Sequence, residues 1–393
     1  MENISGKTND GVLTLYFKGR IDSSNAAAAE AEVNALREEN KGCAVVIDCE
    51  ELEYISSAGL RIVLRVRKDC PELKIVNVSS EVYDILDMTG FTEMIEVQKA
   101  FRRLSVDGCE VIGQGANGMV YRIDRDTIVK VYRNPDALPD IKRERELARR
   151  AFVLGIPTAI PYDVVRVGEG YGSVFELLNA KSFAKLIQAE PEKLDEVVRM
   201  SVDLLKKIHS THVGESDMPD MKKVALDWAD FLMPYLPADI FKKLVKLISE
   251  VPDTDTMMHG DYHFKNIMLQ NGEALLIDMD TLCTGDPVFE FGSVYNAYVG
   301  FASIDHTVVE KFIGLPFETT SRIWELTVRY YFDGADEKQL ELIKKKAMII
   351  GFTRIMRRRI RRGGFDTEEG RAEIENCKKM LCELIPQVDT LCL

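Results

Sequence analysis

A chain of 393 residues exceeds what one ordinary hydrophobic core serves, so two or three domains are expected. A hydrophobic fraction of 46% with 29% charged residues is that of a soluble globular protein, and a net charge of -13 excludes general affinity for nucleic acid or anionic membrane, both of which need a basic surface. The eight cysteines, Cys43, Cys49, Cys70, Cys109, Cys283, Cys377, Cys382 and Cys392, form no Cys-x-x-Cys pair or zinc-spaced cluster, and reduced thiols in the cytoplasm are the expectation. The amino terminus has neither the basic nor the apolar region of a signal peptide, and no apolar run approaches the ~18 residues of a membrane span.

In the first hundred residues, Leu13, Leu15 and Phe17 alternate with Val12, Thr14 and Tyr16, which predicts a half-buried strand ending at Gly19-Arg20-Ile21-Asp22. The Ala- and Glu-rich stretch Asn25 to Asn40 predicts a helix, and Ala44 to Asp48 predicts a strand buried on both faces. Helical spacing of Leu60, Val63 and Leu64, a strand over Leu73 to Val78 and a helix over Val82 to Met88 complete a small α/β domain. The junction Tyr54-Ile55-Ser56-Ser57-Ala58-Gly59-Leu60-Arg61, with Gly19 to Asp22 and Asn77-Val78-Ser79, resembles the STAS fold of anti-sigma factor antagonists. That resemblance implies a protein partner and, through Gly59-Leu60, places Ser57 where the family carries a phosphorylated serine. Ser56 stands in place of the family's aspartate. A phosphate at a helix amino terminus gains from the dipole and the free N–H groups; the alternative is that Ser57 only caps the helix.

After a basic connector, Gln98 to Leu104, the run Cys109 to Ile123 contains Gly113-x-Gly115-x-x-Gly118-x-Val120 between apolar alternations. Glycines let backbone N–H groups approach phosphates. A strand on both sides of the glycines predicts a hairpin loop, whereas a dinucleotide fingerprint leads straight into a helix. The following strand, Asp126 to Tyr132, carries Lys130 at its centre, where a cation needs a partner. Glu144 and Glu146 on the predicted helix Ile141 to Leu154 are the candidates. A hairpin over Val164 to Val167 and Gly172 to Leu178 leads into Glu176-Leu177-Leu178-Asn179.

Farther on, His209 follows a helix face made by Leu204, Leu205 and Ile208, and a core or capping role is expected for it. His259-Gly260-Asp261-Tyr262-His263-Phe264-Lys265-Asn266 precedes a strand-like run ending at Asp278, and Gly285-Asp286-Pro287 follows. This order resembles the aminoglycoside and choline phosphotransferase-like kinases, whose loop reads His-Gly-Asp-x-x-x-x-Asn before a metal-binding Asp. The resemblance implies Asp261 as the base for an acceptor hydroxyl, Asn266 and Asp278 as Mg²⁺ ligands, and Lys130 oriented by Glu144 or Glu146. It also implies ATP held by Gly113, Gly115, Gly118, Lys130 and a hinge including Glu176 and Leu178. His259, Gly260 and His263 are expected to shape the loop, and Asp286 to bond nearby backbone. Asp280, two residues beyond Asp278 on the expected strand, could supplement the metal site. Glu290 replaces the last Asp of the family's Gly-Asp-Pro-x-x-Asp. Ile277-Asp278-Met279-Asp280 in place of Asp-Phe-Gly, and His-Gly-Asp in place of His-Arg-Asp, point away from protein substrates.

Arg354, Arg357, Arg358, Arg359, Arg361 and Arg362 on a carboxy-terminal helix form either a solvated basic face or an anion- or partner-binding patch. The expected architecture is an α/β STAS domain (1–98) and a linker (99–107), followed by a bilobal α+β protein-kinase-like domain with a β-rich small lobe (108–180) and a helical large lobe (181–393). The expected activity is ATP- and Mg²⁺-dependent phosphorylation of a small-molecule hydroxyl. The alternatives are a regulatory binding protein with a slow or inactive kinase fold, or a protein kinase acting on a partner held by the STAS domain.

Overall fold

The computed structural model describes residues 3–115, 118–178, 180–214 and 218–393. Two compact units divide the chain, Met1–Leu104 and Ser105–Leu393. The first contains a five-stranded sheet in the order Ile4–Asn9, Val12–Ile21, Ala44–Ile55, Lys74–Val78, Glu96–Lys99. Ile4–Asn9 pairs antiparallel with Val12–Ile21, and the remaining pairings are parallel. Leu13, Leu15, Phe17 and Ile47 bury almost completely against the helices Ala26–Glu39, Ser57–Asp69 and Ser80–Met88, as period-2 alternation requires.

Three differences from the sequence expectation have local causes. The edge strand Ile4–Asn9 was not expected; Asp10 and Gly11, both at positive φ, make the tight turn that folds it onto Val12–Ile21, and an Asp-Gly pair is a signal for such a hairpin. The stretch expected as a connector from Gln98 begins inside the strand Glu96–Lys99, which pairs with Lys74–Val78. The cap of the second helix is Ser56, whose side chain accepts from Ala58 N at 3.2 Å, while Ser57 is the exposed first residue of that helix.

In the second unit the sheet orders its strands Pro161–Val167, Gly170–Glu176, Thr127–Tyr132, Gly118–Arg122, Glu110–Gln114, all antiparallel. The helix Leu138–Val153 carries an apolar face of Ile141, Leu147, Ala148 and Ala151. The rest is helical and organised around Pro287–Tyr298, every residue of which from Val288 onward is buried. A helix apolar on all sides belongs in a core. Asp286 caps it by accepting from Val288 N at 2.9 Å, with Pro287 supplying the fixed φ of the first turn. The 25-residue helix Glu337–Arg361, started by a capping box of Asp336 and Gln339, crosses this central helix and carries the arginines at its end. Among the described residues no helix is long and apolar enough to cross a membrane.

Candidate active site

The small lobe supplies a cation held between two acids. Lys130 Nζ lies 2.9 Å from Glu144 Oε1 and 2.7 Å from Asp278 Oδ1. Glu144 is the partner because it shares the buried helix face with Ile141 and Ala148, three and four residues away. Glu146 is turned outward, its side chain 71% exposed, and pairs with Arg149. The other oxygen of Glu144 accepts from the Tyr132 hydroxyl. Tyr132 went unnoticed in the sequence, although it lies two residues from Lys130 and therefore on the same side of the strand. Burial alone would lower the Lys130 pKa, but Glu144 and Asp278 outweigh it, so its pKa lies above the ordinary value and it is charged.

At the glycine loop, Gly115 N–H donates to Gly118 O at 3.0 Å, closing the turn; Ala116 and Asn117 at its tip lie outside the described residues. A Cβ at Gly118 would collide with the Val131 carbonyl, so glycine is what lets these strands close up here. At the expected hinge, Glu176 N–H donates to Ile160 O and Leu177 N–H to Asp126 O. The N–H of Leu178 donates to nothing among the described residues, and Asn179 lies outside them.

The large lobe holds its loop from several sides. Tyr262 donates to Ser201 O at 2.6 Å, and Phe264 N–H donates to the Tyr298 hydroxyl at 3.0 Å, so two fully buried aromatics anchor the segment between Asp261 and Asn266. His259, with no exposed surface, donates from Nε2 to Ile277 O and accepts at Nδ1 from Asp261 N–H, which defines its tautomer. Gly260 adopts a φ of +80°, and a Cβ there would strike the Thr281 carbonyl, so this bend requires glycine. Beneath it, Glu290 accepts from His259 N–H at 2.6 Å and from Gly260 N–H at 3.1 and 3.2 Å. His209 Nε2 stands 3.9 Å from Glu290, too long for a hydrogen bond, while its Nδ1 meets the Tyr331 hydroxyl at 2.8 Å. Burial would raise the Glu290 pKa, but His209, His259 and the Gly260 N–H outweigh it and hold the carboxyl below its usual range. From the far helix, Arg354 donates to Gly260 O at 3.2 Å and to Ser293 Oγ.

Asp261 emerges from this frame with its side chain 43% exposed and Oδ2 at 3.5 Å from His263 Nε2. Burial raises its pKa, but His263, then Arg354 and His259, pull it down to about 2, so it is a carboxylate at neutral pH. Asn266 donates from Nδ2 to Asp261 O at 3.1 Å, and its Oδ1 accepts nothing among the described residues. Ile277 N–H donates to Asn266 O at 3.0 Å, which brings Asp278 alongside Asn266.

The expected strand through Asp278 is shorter. It spans Glu273–Leu276, and Asp278 follows in left-handed conformation, φ 62°, one that Asp tolerates better than most residues. Asp280 therefore lies in the 3₁₀ turn Met279–Thr281 and is not aligned with Asp278 along a strand. Burial, Asp278 and Glu144 push its pKa up to about 7. An unshared amide oxygen beside an exposed carboxylate, among acids outnumbering the one lysine, is a donor set that fits Mg²⁺. That ion takes one or two protein oxygens and completes its shell with phosphates and water.

A sheet-rich lobe whose strand lysine meets a helix glutamate, joined to a helical lobe presenting an acid-bearing loop, is the protein-kinase-like fold. The family described as "Phosphotransferase enzyme family" matches residues 108–316, and the STAS domain matches residues 3–104. The chain belongs to that phosphotransferase family and carries a STAS domain ahead of it. Among solved structures, a thermostable mutant of an aminoglycoside phosphotransferase, in ternary complex with ADP and hygromycin B, is 11% identical with a TM-score of 0.50, over 72% of this chain and 94% of its own. A choline/ethanolamine kinase family protein from Mesorhizobium loti is 15% identical with a TM-score of 0.47, over 70% of this chain and 87% of its own. In the first unit, BtrV of Bordetella bronchiseptica, named as an anti-sigma factor antagonist, is 36% identical over 92 residues, 22% of this chain and 78% of its own.

Proposed function

We propose that the second unit transfers the γ-phosphoryl group of ATP to the hydroxyl of a small molecule, and that the first unit is a regulatory, partner-binding module. The observation that carries this is Lys130 clamped between Glu144 and Asp278 within a fold whose loop holds Asp261 ionised. Asp261 accepts the hydroxyl proton as the acceptor oxygen bonds to the γ-phosphorus. The bond from that phosphorus to the β–γ bridging oxygen breaks, and its electron pair leaves with ADP. Lys130 neutralises the α- and β-phosphates, Leu178 N–H and the Glu176 backbone receive the adenine, and the glycine loop covers the phosphates. Asn266 and Asp278 would hold Mg²⁺, which supplies charge neutralisation on the phosphates. With eight free cysteines, the chain suits the reducing cytoplasm where ATP is made.

Incubation with Mg-ATP and a metabolite mixture, read by mass spectrometry, tests this; a phosphorylated small molecule is expected, and neither binding nor turnover of ATP would refute it. Lys130→Ala is expected to lower turnover on the order of 10²-fold, because one pre-organised charge aimed at the phosphates is lost. Glu144→Gln should act in the same direction through a mispositioned lysine. Unchanged steady-state rates for both would remove the phosphate-holding role. The intact pairing of Lys130 disfavours the alternative of a fold kept only for binding.

For the first unit, Ser57 is proposed as a phosphosite. It is exposed at the first helical position with no acidic residue in the first turn to repel a phosphate. A phosphate there would add a charge of about -1.5 to -2 against free N–H groups without unfolding the unit. Incubation with anti-sigma-type serine kinases followed by peptide mapping should find phosphate on Ser57 and none in Ser57→Ala. Its absence with every cognate kinase would sink the proposal.

A further inference from the structure

The arginines ending the helix Glu337–Arg361 are not an evenly solvated face. Arg354, Arg357, Arg358 and Arg361 stand at i, i+3, i+4 and i+7 and so share one side of the helix, whereas Arg359 points elsewhere and is paired with Glu369 and Glu373. Arg354 bonds the carbonyl of Gly260, one residue before Asp261. Its guanidinium lies 5.6 Å from the ring centre of Trp228, that of Arg357 5.8 Å from Phe231, and that of Arg358 4.8 Å from Phe301. Aromatic faces hold a guanidinium in place without neutralising it or occupying its N–H edge.

The acids that could neutralise this row do not engage it. Among the described residues, Arg357, Arg358 and Arg361 have no carboxylate within 4.0 Å, and the buried Nε of Arg357 donates no hydrogen bond. Asp227 faces Arg357, and Glu373 and Asp261 face Arg358, at longer range, while Arg354, Arg361 and Arg362 add like charge. Burial, then these like charges, lower the pKa of both Arg357 and Arg358. In a protein with 64 acids and 51 basic residues, Arg357, Arg358 and Arg361 still form no ion pair among the described residues. Favourable placement at a helix carboxy terminus is a weak effect and is screened by salt. It does not explain why the row runs back along the helix to the Asp261 loop.

We infer that the acceptor carries an anionic group, phosphate or carboxylate, which docks on the Arg354, Arg357 and Arg358 face so that its hydroxyl reaches Asp261. The inference rests on the phosphotransfer proposed above. Bidentate N–H edges suit both kinds of anion, and a polycationic acceptor would meet like charge at the same place. The reaction is unchanged in balance: the acceptor oxygen bonds to the γ-phosphorus, its proton passes to Asp261, and ADP leaves with the broken bond's electron pair. The product then carries its original anionic group and a new phosphate.

The test uses the full chain, radiolabelled γ-phosphate ATP with Mg²⁺, and a small-solute cell extract split on an anion exchanger at neutral pH, with endogenous nucleotides removed on charcoal. Label is expected in new compounds from the retained fraction only. Pretreating that fraction with alkaline phosphatase separates the two sources: loss of labelling identifies a phosphorylated acceptor, persistence a carboxylated one. The double variant Arg357→Ala, Arg358→Ala should lose at least about tenfold of the labelling at limiting extract, and Arg357→Lys, Arg358→Lys should recover part of it by restoring charge. Acceptors labelled from the unretained fraction, or undiminished labelling by the alanine pair, would overturn the inference while leaving phosphotransfer standing. Label in neither fraction, with ADP still raising the melting temperature, would overturn phosphotransfer and this inference together. Should the alanine pair fail to fold, the lysine pair and the fraction that carries the label still decide the matter.

Discussion

Asp261→Asn is expected to reduce phosphotransfer by roughly 10²–10⁴-fold in kcat, the range a positioned general base contributes. The substitution keeps the size of the side chain, so the loop held by Tyr262, Phe264 and Glu290 has no reason to move. What it removes is a group already ionised at neutral pH, held near a pKa of about 2 by His263, Arg354 and His259 against the opposing effect of burial. A depressed folded-state pKa also means that the Asp261 contribution to stability is present above its unfolded value and is lost as pH falls towards 2. Rapid-quench measurement of product formation, with nucleotide binding followed separately by calorimetry, distinguishes chemistry from binding. ATP affinity should stay near that of the wild type while turnover collapses. A variant retaining a tenth or more of the wild-type rate would take the proton-accepting role from Asp261.

The residues legible in the sequence are those whose chemistry is local. A glycine-rich hairpin, a lysine in mid-strand and an acid and an amide five residues apart announce themselves by spacing, because backbone geometry converts spacing into position. Even the choice between Glu144 and Glu146 was present in the pattern Ile141, Glu144, Ala148, Ala151, which follows one helix face. The strand expectation through Asp278 failed where an apolar run hid a left-handed turn: Ile277 looks like strand, but Asp278 turns to meet Lys130. Arg354 had no local signature at all. It reaches Gly260 across 94 residues of chain, and only packing of the helix Glu337–Arg361 on the central helix brings them together. For the first unit the alternation of Leu13, Leu15 and Phe17 sufficed to place the core, whereas its edge strand depended on the turn at Asp10-Gly11.

Glu290→Ala is expected to be the most damaging single change to the large lobe. The carboxylate is 1% exposed and satisfies the N–H groups of both His259 and Gly260, with His209 3.9 Å away. Its removal leaves two buried backbone N–H donors without an acceptor, at roughly 1–3 kcal/mol each, a loss of about 3–5 kcal/mol in all. In a unit of this size that corresponds to a fall in melting temperature of roughly 5–10 °C. Because the folded-state pKa of Glu290 is depressed, its stabilisation is present above the unfolded carboxyl pKa and is lost as pH falls through the folded one, so the gap between variant and wild type should narrow in acid. Glu290→Gln offers only one accepting oxygen and turns an amide N–H towards the remaining donor or the histidine, which predicts an intermediate loss. Calorimetric unfolding at neutral and acidic pH, with phosphotransfer measured well below each transition, separates the two consequences. Turnover should fall even where the variant is folded, since Gly260 immediately precedes Asp261 and a loosened bend misplaces the base. A fully active, thermally unchanged Glu290→Ala would mean that the loop is held by Tyr262, Phe264 and Arg354 without it.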